Sequence, residues 1–454
     1  MKKILIGSFF AASILSTGCK KLLDKLPTDA QPGEEVLKSS SNVLSVLAAS
    51  YSRFTDNNFV GGEVQRTAEL YGNQVDLANA TGGAPAQFVS RSFNIFNQIG
   101  RDIWFTGYEA IGRANVVLNA IDNNTFNDTT AAAKNTWKGE ALFIRGAAHF
   151  ELVRIFAKPY TANPTSDPGV VLRLRALNAT EAQQQVQRST VKQSYDAAIA
   201  DLKAAEQLLP TTNGVRATRW AAKAYLARIY FNMADYANAF AYANDVITNG
   251  GFALGTDVKA PFTTTGNVAS FPASVVFGVL GDGGRLRGNF WNSDLNNTFL
   301  PIANATFSNI NARGGNRATF LSTSSTSGKG VSLKWSVLGD VAINVPVVRL
   351  SEMYLIRAEA RVQTGTFTDA AVRADYNAVR AVAGVVADNS TSGATALLTA
   401  IRNERQVELF TEGDSYHELR RLKQSVRGIA FDDATGLLKI PDGEVRVNPG
   451  MIQN

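Results

Sequence analysis

One cysteine, two histidines and no apolar run long enough to span a bilayer set the first limits on this 454-residue chain. With Cys19 alone, no intrachain disulfide can form and no cysteine-ligated metal site can be built. His149 and His417 lie far apart in the sequence, so a histidine-based nucleophilic triad has little to recruit. His149 adjoins an apolar stripe, which points to helix packing rather than metal ligation. Ser327-Gly328-Lys329-Gly330 lacks the upstream glycine and the following hydroxyl of a phosphate-binding loop, and no EF-hand loop is present. Calcium held by scattered Asp and Asn oxygens stays open; otherwise no metal and no cofactor are expected. The net charge of +6 includes four lysines at positions 2, 3, 20 and 21, and no dense basic block is interleaved with aromatics. A nucleic-acid partner is therefore not expected, whereas a mildly basic surface facing anionic lipid or an acidic glycan stays open.

What is present begins with a leader. Lys2 and Lys3 precede a mostly apolar stretch from Ile4 to Leu15, shorter than the roughly 20 residues of a membrane span. Ser16, Thr17 and Gly18 then lead to Cys19. This junction resembles the lipobox of bacterial lipoproteins, with Leu15 one place further from the cysteine than in the commonest form. The expectation is a signal peptide over 1–18 and a lipid on Cys19; a plain secreted protein is the alternative. Acyl chains contribute about 0.8 kcal/mol per buried methylene, so a multiply acylated cysteine holds a protein on a membrane without a spanning helix.

Helical patterning dominates the rest. Trp137, Ala141, Ile144, Ala148, Leu152 and Ile155 draw one stripe over 134–157, and Pro159 stops it. Val191, Tyr195, Ala198, Leu202, Ala205 and Leu209 draw a second, ended by Pro210. Residues 221–247 and 347–382 each read as two helices joined by a short turn, with alanines facing one another and Gly365 permitting the second turn. This layout resembles the tetratricopeptide hairpin. From about 250 to 345 the texture turns to Gly, Asn, Ser and Thr, with 274–277 and 331–335 suiting strands, Trp335 included. The fold class expected is mainly α, with tetratricopeptide-like hairpins in a right-handed helical scaffold and an irregular, short-stranded segment. The domain plan is a tether over 19–40 and a single domain over 41–454. Its repeats lie at about 100–250 and 346–425, the irregular segment at about 250–345, and a tail at 426–454.

Five segments in order carry a family resemblance over nearly the whole chain. They are Cys19-Lys20-Lys21-Leu22-Leu23-Asp24-Lys25-Leu26-Pro27; residues 139–160, opening Gly139-Glu140-Ala141-Leu142; the stretch from Val348 to Ala360, expected to be helical throughout; residues 401–421, with Glu408-Leu409 and Glu412-Gly413; and the close from Ile440-Pro441-Asp442-Gly443 to Gln453-Asn454. Together they resemble the SusD/RagB family of Bacteroidetes outer-membrane lipoproteins. The resemblance implies nutrient binding without turnover at the cell surface, most simply of an oligosaccharide or polysaccharide, with delivery to a SusC-like TonB-dependent transporter. Peptide or glycopeptide capture is the alternative in the same system. A repeat scaffold for a protein partner and a lipoprotein glycoside hydrolase are the readings from other classes.

Glu404, Glu408 and Glu412 recur every four residues and invite an acid–base story. A row on one helix does not provide the flanking pair that glycoside hydrolysis needs, about 5 to 10 Å apart. Ion pairing of Arg349, Arg357 and Arg405 with Glu352, Glu359 or Glu408 is the reading adopted, with those groups pinning the last helices together. For the ligand surface the resemblance implies two loop regions. The early one offers Tyr71, Asn73, Asp76, Phe88, Arg91 and Phe93, and the later one Phe290, Trp291, Asn292 and Asp294, with Trp291 the leading stacking platform.

Overall fold

Thr130 opens the longest helix by accepting a hydrogen bond from Ala133 N at 3.2 Å, and the chain then stays helical for 26 residues. A computed structural model describes residues 33–77, 82–182, 184–281, 286, 300–324, 327–338, 341 and 343–454. Cys19, Phe290, Trp291, Asn292 and Asp294 lie outside these described residues. The first part is helical: α1 (Ser40–Phe54), α2 (Glu63–Tyr71), α3 (Gly83–Ser90), α4 (Gln98–Asp122), α5 (Ala131–Phe156), α6 (Val191–Leu208), α7 (Arg219–Asn232) and α8 (Tyr236–Asn249). The irregular segment holds β1 (Val275–Val279), α9 (Asn304–Arg313), β2 (Leu321–Thr323) and β3 (Gly330–Ser332). Then come β4 (Val345–Arg349), α10 (Leu350–Gln363), α11 (Asp369–Val382), α12 (Ala394–Glu408), α13 (Ser415–Arg421) and α14 (Asp442–Val447).

The stripe over 134–157 shows only one side of α5. From Gly139 onward almost every residue of α5 is buried, because α1, α4, α6 and α7 pack around it. Gly146 is where α6 comes closest: a Cβ there would meet Ala198 O at 2.9 Å and the Asp201 Cβ at 3.0 Å. Beside it Arg145 grips Asp201 through two bonds of 2.7 Å, which sets the register of the two helices. Replacing Gly146 with valine should cost about 1–3 kcal/mol of stability, since the α6 backbone carbonyl has no room to yield. Urea unfolding reads this as a lower midpoint, and an unchanged midpoint would contradict the close packing.

Both expected hairpins are present. In α7–α8 the turn runs through Ala234 with φ 60, and in α10–α11 through Gly365 with φ 76. α10 is buried on two sides. Leu350, Met353, Ile356 and Ala360 join the main core, which draws on residues from Val43 to Met451, while Leu355, Ala358 and Val362 close a smaller core with Val372, Tyr376, Leu397 and Ile401.

Three expectations need correction. Val348 and Arg349 belong to strand β4, which pairs antiparallel with β1, so the helix starts at Leu350. Trp335 sits in a 3₁₀ turn over Lys334–Ser336, directly after β3 and not within it. There Thr411 O takes its indole N–H at 3.0 Å, which satisfies the donor in the core. The carboxylate row breaks as well: α12 ends at Glu408, and Glu412 lies past a turn in which Thr411 has φ 58 and Gly413 φ 82.

Candidate functional site

The early loop region meets residues 300–303 of the irregular segment at one corner. α2 stops at Gly72, whose N–H closes on Ala68 O at 2.8 Å, and the chain then runs beside residues 300–303. Val75 bridges Ile302 in antiparallel fashion, Asp76 N donates to Pro301 O at 2.7 Å, and Ala303 N donates to Gln74 O at 2.9 Å. Leu300 and Asp76 are therefore neighbours. The β2–β3 turn contributes Lys329, which reaches Asp76 at 3.2 Å.

The early candidates separate by burial. Tyr71, Phe88 and Phe93 are core residues and are withdrawn as ligand platforms, because other rings cover their faces. Tyr71 meets Phe88 edge-on at 4.8 Å and stacks on Tyr416 at 4.5 Å and 15°, and Phe88 meets Phe93 at 4.9 Å. The Tyr71 hydroxyl accepts from Leu438 N at 2.7 Å. Burial raises its pKa well above the usual phenol value. Asn73 is exposed, and Asp76 and Arg91 are partly exposed. Asn73 Oδ1 meets Ser415 Oγ at 3.0 Å.

Sequence reasoning missed Phe96 and Phe105, which are 67% and 40% exposed. Phe96 is presented by an Asx turn, its N–H donating to Asn94 Oδ1 at 2.9 Å. Asn94 two residues before it was the available signal. Phe105 rests against Gly443 of α14, a contact between residues 338 positions apart that no local pattern announces. Arg427 was missed for the same reason: it reaches the Gly72 and Val75 carbonyls from the far end of the chain.

The charged motifs form an ion-pair lattice. Arg349 Nη1 donates to Glu408 Oε1 at 2.5 Å, and its Nε and Nη2 reach Glu412 at 2.9 and 2.7 Å. Arg317 joins Glu404 at 2.7 Å to Glu408 at 2.6 Å, and Lys334 reaches Glu412 at 2.8 Å. Arg405 pairs with Asp414 at 2.5 Å and lies 3.7 Å from Glu352. Glu352 is held mainly by Arg228 at 2.6 Å. Two expected partners differ. Arg357 pairs with Asp375 on the adjoining α11, and Glu359 is held by Arg402 and Arg421. The hairpin turns the Arg357 face of α10 toward α11, so the nearer carboxylate takes the guanidinium.

These groups are engaged in structure. Burial disfavours the Glu408 carboxylate, yet Arg349, Arg317 and Lys334 bring its pKa down to about 2, so it carries no proton to give near neutrality. Burial and Arg145 lower His149 to about 3, and burial lowers His417 well below the usual imidazole value, which keeps both neutral. Among the described residues no cluster of three or more His, Cys, Asp or Glu is placed to hold a metal. What the corner offers is hydrogen-bonding and cationic groups at a surface.

Similarity to known proteins follows the same outline. Residues 21–231 match the profile of a SusD-like family described as starch-binding and associating with the outer membrane, and residues 227–454 match that of the SusD family. A SusD-like protein P2 of Formosa agariphila is 26% identical over 255 residues, covering 55% of this chain and 47% of the relative. A SusD-like protein of Bacteroides ovatus is 28% identical over 193 residues, covering 40% of this chain and 33% of the relative. The matched stretches thus span about half and a third of those two relatives. A SusD superfamily structure from Bacteroides thetaiotaomicron superposes with TM-score 0.81 at 22% identity, covering 91% of this chain and 99% of its own. A Bacteroides vulgatus structure, named as that of a candidate sugar-binding protein, gives 0.79 at 26% identity, covering 91% and 98%. With the helical-repeat architecture these establish a tetratricopeptide-like SusD fold.

Proposed function

Because the chain belongs to the SusD family, we propose that it is a carbohydrate-binding protein of the outer membrane that captures a glycan and passes it to a SusC-like TonB-dependent transporter. Its anchor is a lipid on Cys19 facing the extracellular side, and among the described residues no helix is long and apolar enough to cross a membrane. The observation that carries the reading is the bridge of Val75 to Ile302. It joins the early loop to the irregular segment at residues 301–303, so stretches more than 200 residues apart meet at one surface corner.

Magnitudes decide what such a surface needs. An aromatic platform burying about 100 Å² contributes about 2.5 kcal/mol before association entropy is subtracted. Micromolar affinity requires about 8 kcal/mol net, so Trp291 must act with further platforms or with the transporter closing over it. Phe96, on the loop that follows Arg91, is the exposed ring nearest in sequence to the early candidates.

The test is calorimetry and affinity electrophoresis of the full chain in detergent micelles against polysaccharides, oligosaccharides and peptides, with Trp291→Ala beside it. Saturable glycan binding, weakened about tenfold by the substitution and without product release, is the expected result. Binding of peptides alone would replace the glycan with a peptide cargo. Turnover of any glycan would make the protein a hydrolase and overturn the reading.

A further inference from the structure

Most well-buried arginines of this protein hold a carboxylate: Arg145, Arg228, Arg317, Arg349, Arg357, Arg405 and Arg421 all do. Buried Arg420 takes only backbone carbonyls, and at the corner beside Gly72 the partly exposed Arg91 and the exposed Arg427 do the same. Arg91 Nη2 donates to Tyr71 O at 2.8 Å, while Arg427 Nε and Nη2 donate to the carbonyls of Gly72 and Val75. Neither guanidinium pairs with a carboxylate of the described residues, and the Nη1 group of each has no partner among them.

The backbone under both arginines is unusual. Arg91 caps α3 with φ 51, and Arg427 occupies the turn closed by Val426 and Ile429, also with φ 51. A left-handed conformation costs an L-residue about 1–2 kcal/mol, and Asn or Gly would adopt it more readily. Strain of this kind persists where surrounding structure imposes it, and it gathers at sites that hold ligands. Here it turns two cations onto adjacent carbonyls of one loop.

The arginines also sit on a rigid base. Arg91 lies 5.3 Å over the Tyr71 ring, Tyr71 stacks on Tyr416, and Arg420 lies 4.8 Å over Tyr416. Burial, followed by the neighbouring charge of Arg91, lowers Arg427 to about 10, with Asp76 and Glu69 offsetting part of the effect, so Arg91 adds repulsion at this corner. Lys329 holds Asp76, an acid of the same loop, at 3.2 Å. A neutral sugar would do nothing for this repulsion, whereas an oxyanion would relieve it and take the unspent N–H groups.

We propose that Arg91 and Arg427 form a subsite for an anionic substituent, a carboxylate or a sulfate ester, on the captured glycan, which makes the ligand class an acidic polysaccharide. This rests on the glycan-capture reading above and goes beyond it by naming the charge of the cargo.

Affinity electrophoresis of the full chain in detergent micelles tests it, with gels containing polygalacturonate, dextran sulfate or neutral dextran and xyloglucan. Arg427→Asn suits the left-handed backbone and removes the charge; Arg91→Asn is the second variant. Arg313→Asn is the control, since Arg313 is exposed at the end of α9 and has no partner among the described residues. The expected result is retardation by one polyanion, with affinity falling about tenfold or more in Arg427→Asn, the worth of a charge-assisted hydrogen bond. Arg313→Asn should leave it unchanged, and the responding gel identifies carboxylate or sulfate. Neutral-glycan binding untouched by Arg427→Asn would overturn the subsite and leave the capture reading standing. An equal loss in Arg313→Asn would reduce the effect to diffuse attraction and overturn it too. Failure of every glycan to retard the protein would overturn both.

Discussion

Arg349→Met should destabilise the protein by about 3–5 kcal/mol, the cost of leaving buried carboxylates without their partner. Arg349 serves two of them at once, Glu408 and Glu412, and also donates to the Glu408 carbonyl at 3.2 Å. Around it Arg317, Lys334 and Arg349, with Arg380 beside Glu404 at 3.5 Å, face Glu404, Glu408 and Glu412. Methionine fills much of the volume but removes the guanidinium that Glu408 and Glu412 share. The loss is large against a stability of about 5–15 kcal/mol for ordinary domains. Chemical denaturation measures it directly, and the double variant Arg349→Met, Glu412→Gln should recover part of the loss because it removes one stranded anion. A single variant as stable as the parent would show that Arg317 and Lys334 satisfy the carboxylates alone.

Glu69 should make stability depend on pH across the neutral range. Its Oε1 accepts from Gly413 N at 2.8 Å while Oε2 is buried without a partner. Burial, offset in part by the Gly413 bond, raises its pKa from 4.5 to about 8. A group whose folded pKa is raised stabilises fully below its unfolded value and loses that contribution as pH climbs through the folded one. At about 1.4 kcal/mol per unit, the parent should give up about 4–5 kcal/mol between pH 4.5 and 8 relative to Glu69→Gln, which keeps the Gly413 bond and does not titrate. His149 works in the opposite sense, because its lowered pKa removes stability as pH falls from 6.5 toward 3. Comparing parent and Glu69→Gln at each pH isolates the Glu69 contribution. A difference that stays flat from pH 4.5 to 8 would show that the carboxyl is ionised in the native state.

Both effects arise from partners that the sequence does not place side by side. Arg349 and Glu408 are recognisable as charged members of two motifs, but Arg317 and Lys334, which complete the lattice, come from the irregular segment and carry no motif. Glu69 reads as an ordinary polar residue of α2 until Gly413, 344 positions away, closes over it. The aromatics of the early loop show the same limit. Tyr71, Phe88 and Phe93 look like ligand platforms in a polar stretch, yet they turn inward: Tyr71 packs on Tyr416 and bonds Leu438 from the far end of the chain, and Phe88 and Phe93 pack on Tyr71 and on each other.

By itself the sequence determined the helices, the hairpins and the family. Periodic apolar residues, the stops at Pro159 and Pro210, and the capping threonines act within a turn or two of the chain, so their consequences are local and readable. Only the tertiary structure decided which aromatics face solvent, which carboxylate each arginine takes and where the early loop meets residues 301–303. Those outcomes depend on desolvation and on contacts between segments hundreds of residues apart, and the pairing of Val75 with Ile302 and the reach of Arg427 to Gly72 exist only once the chain has closed on itself.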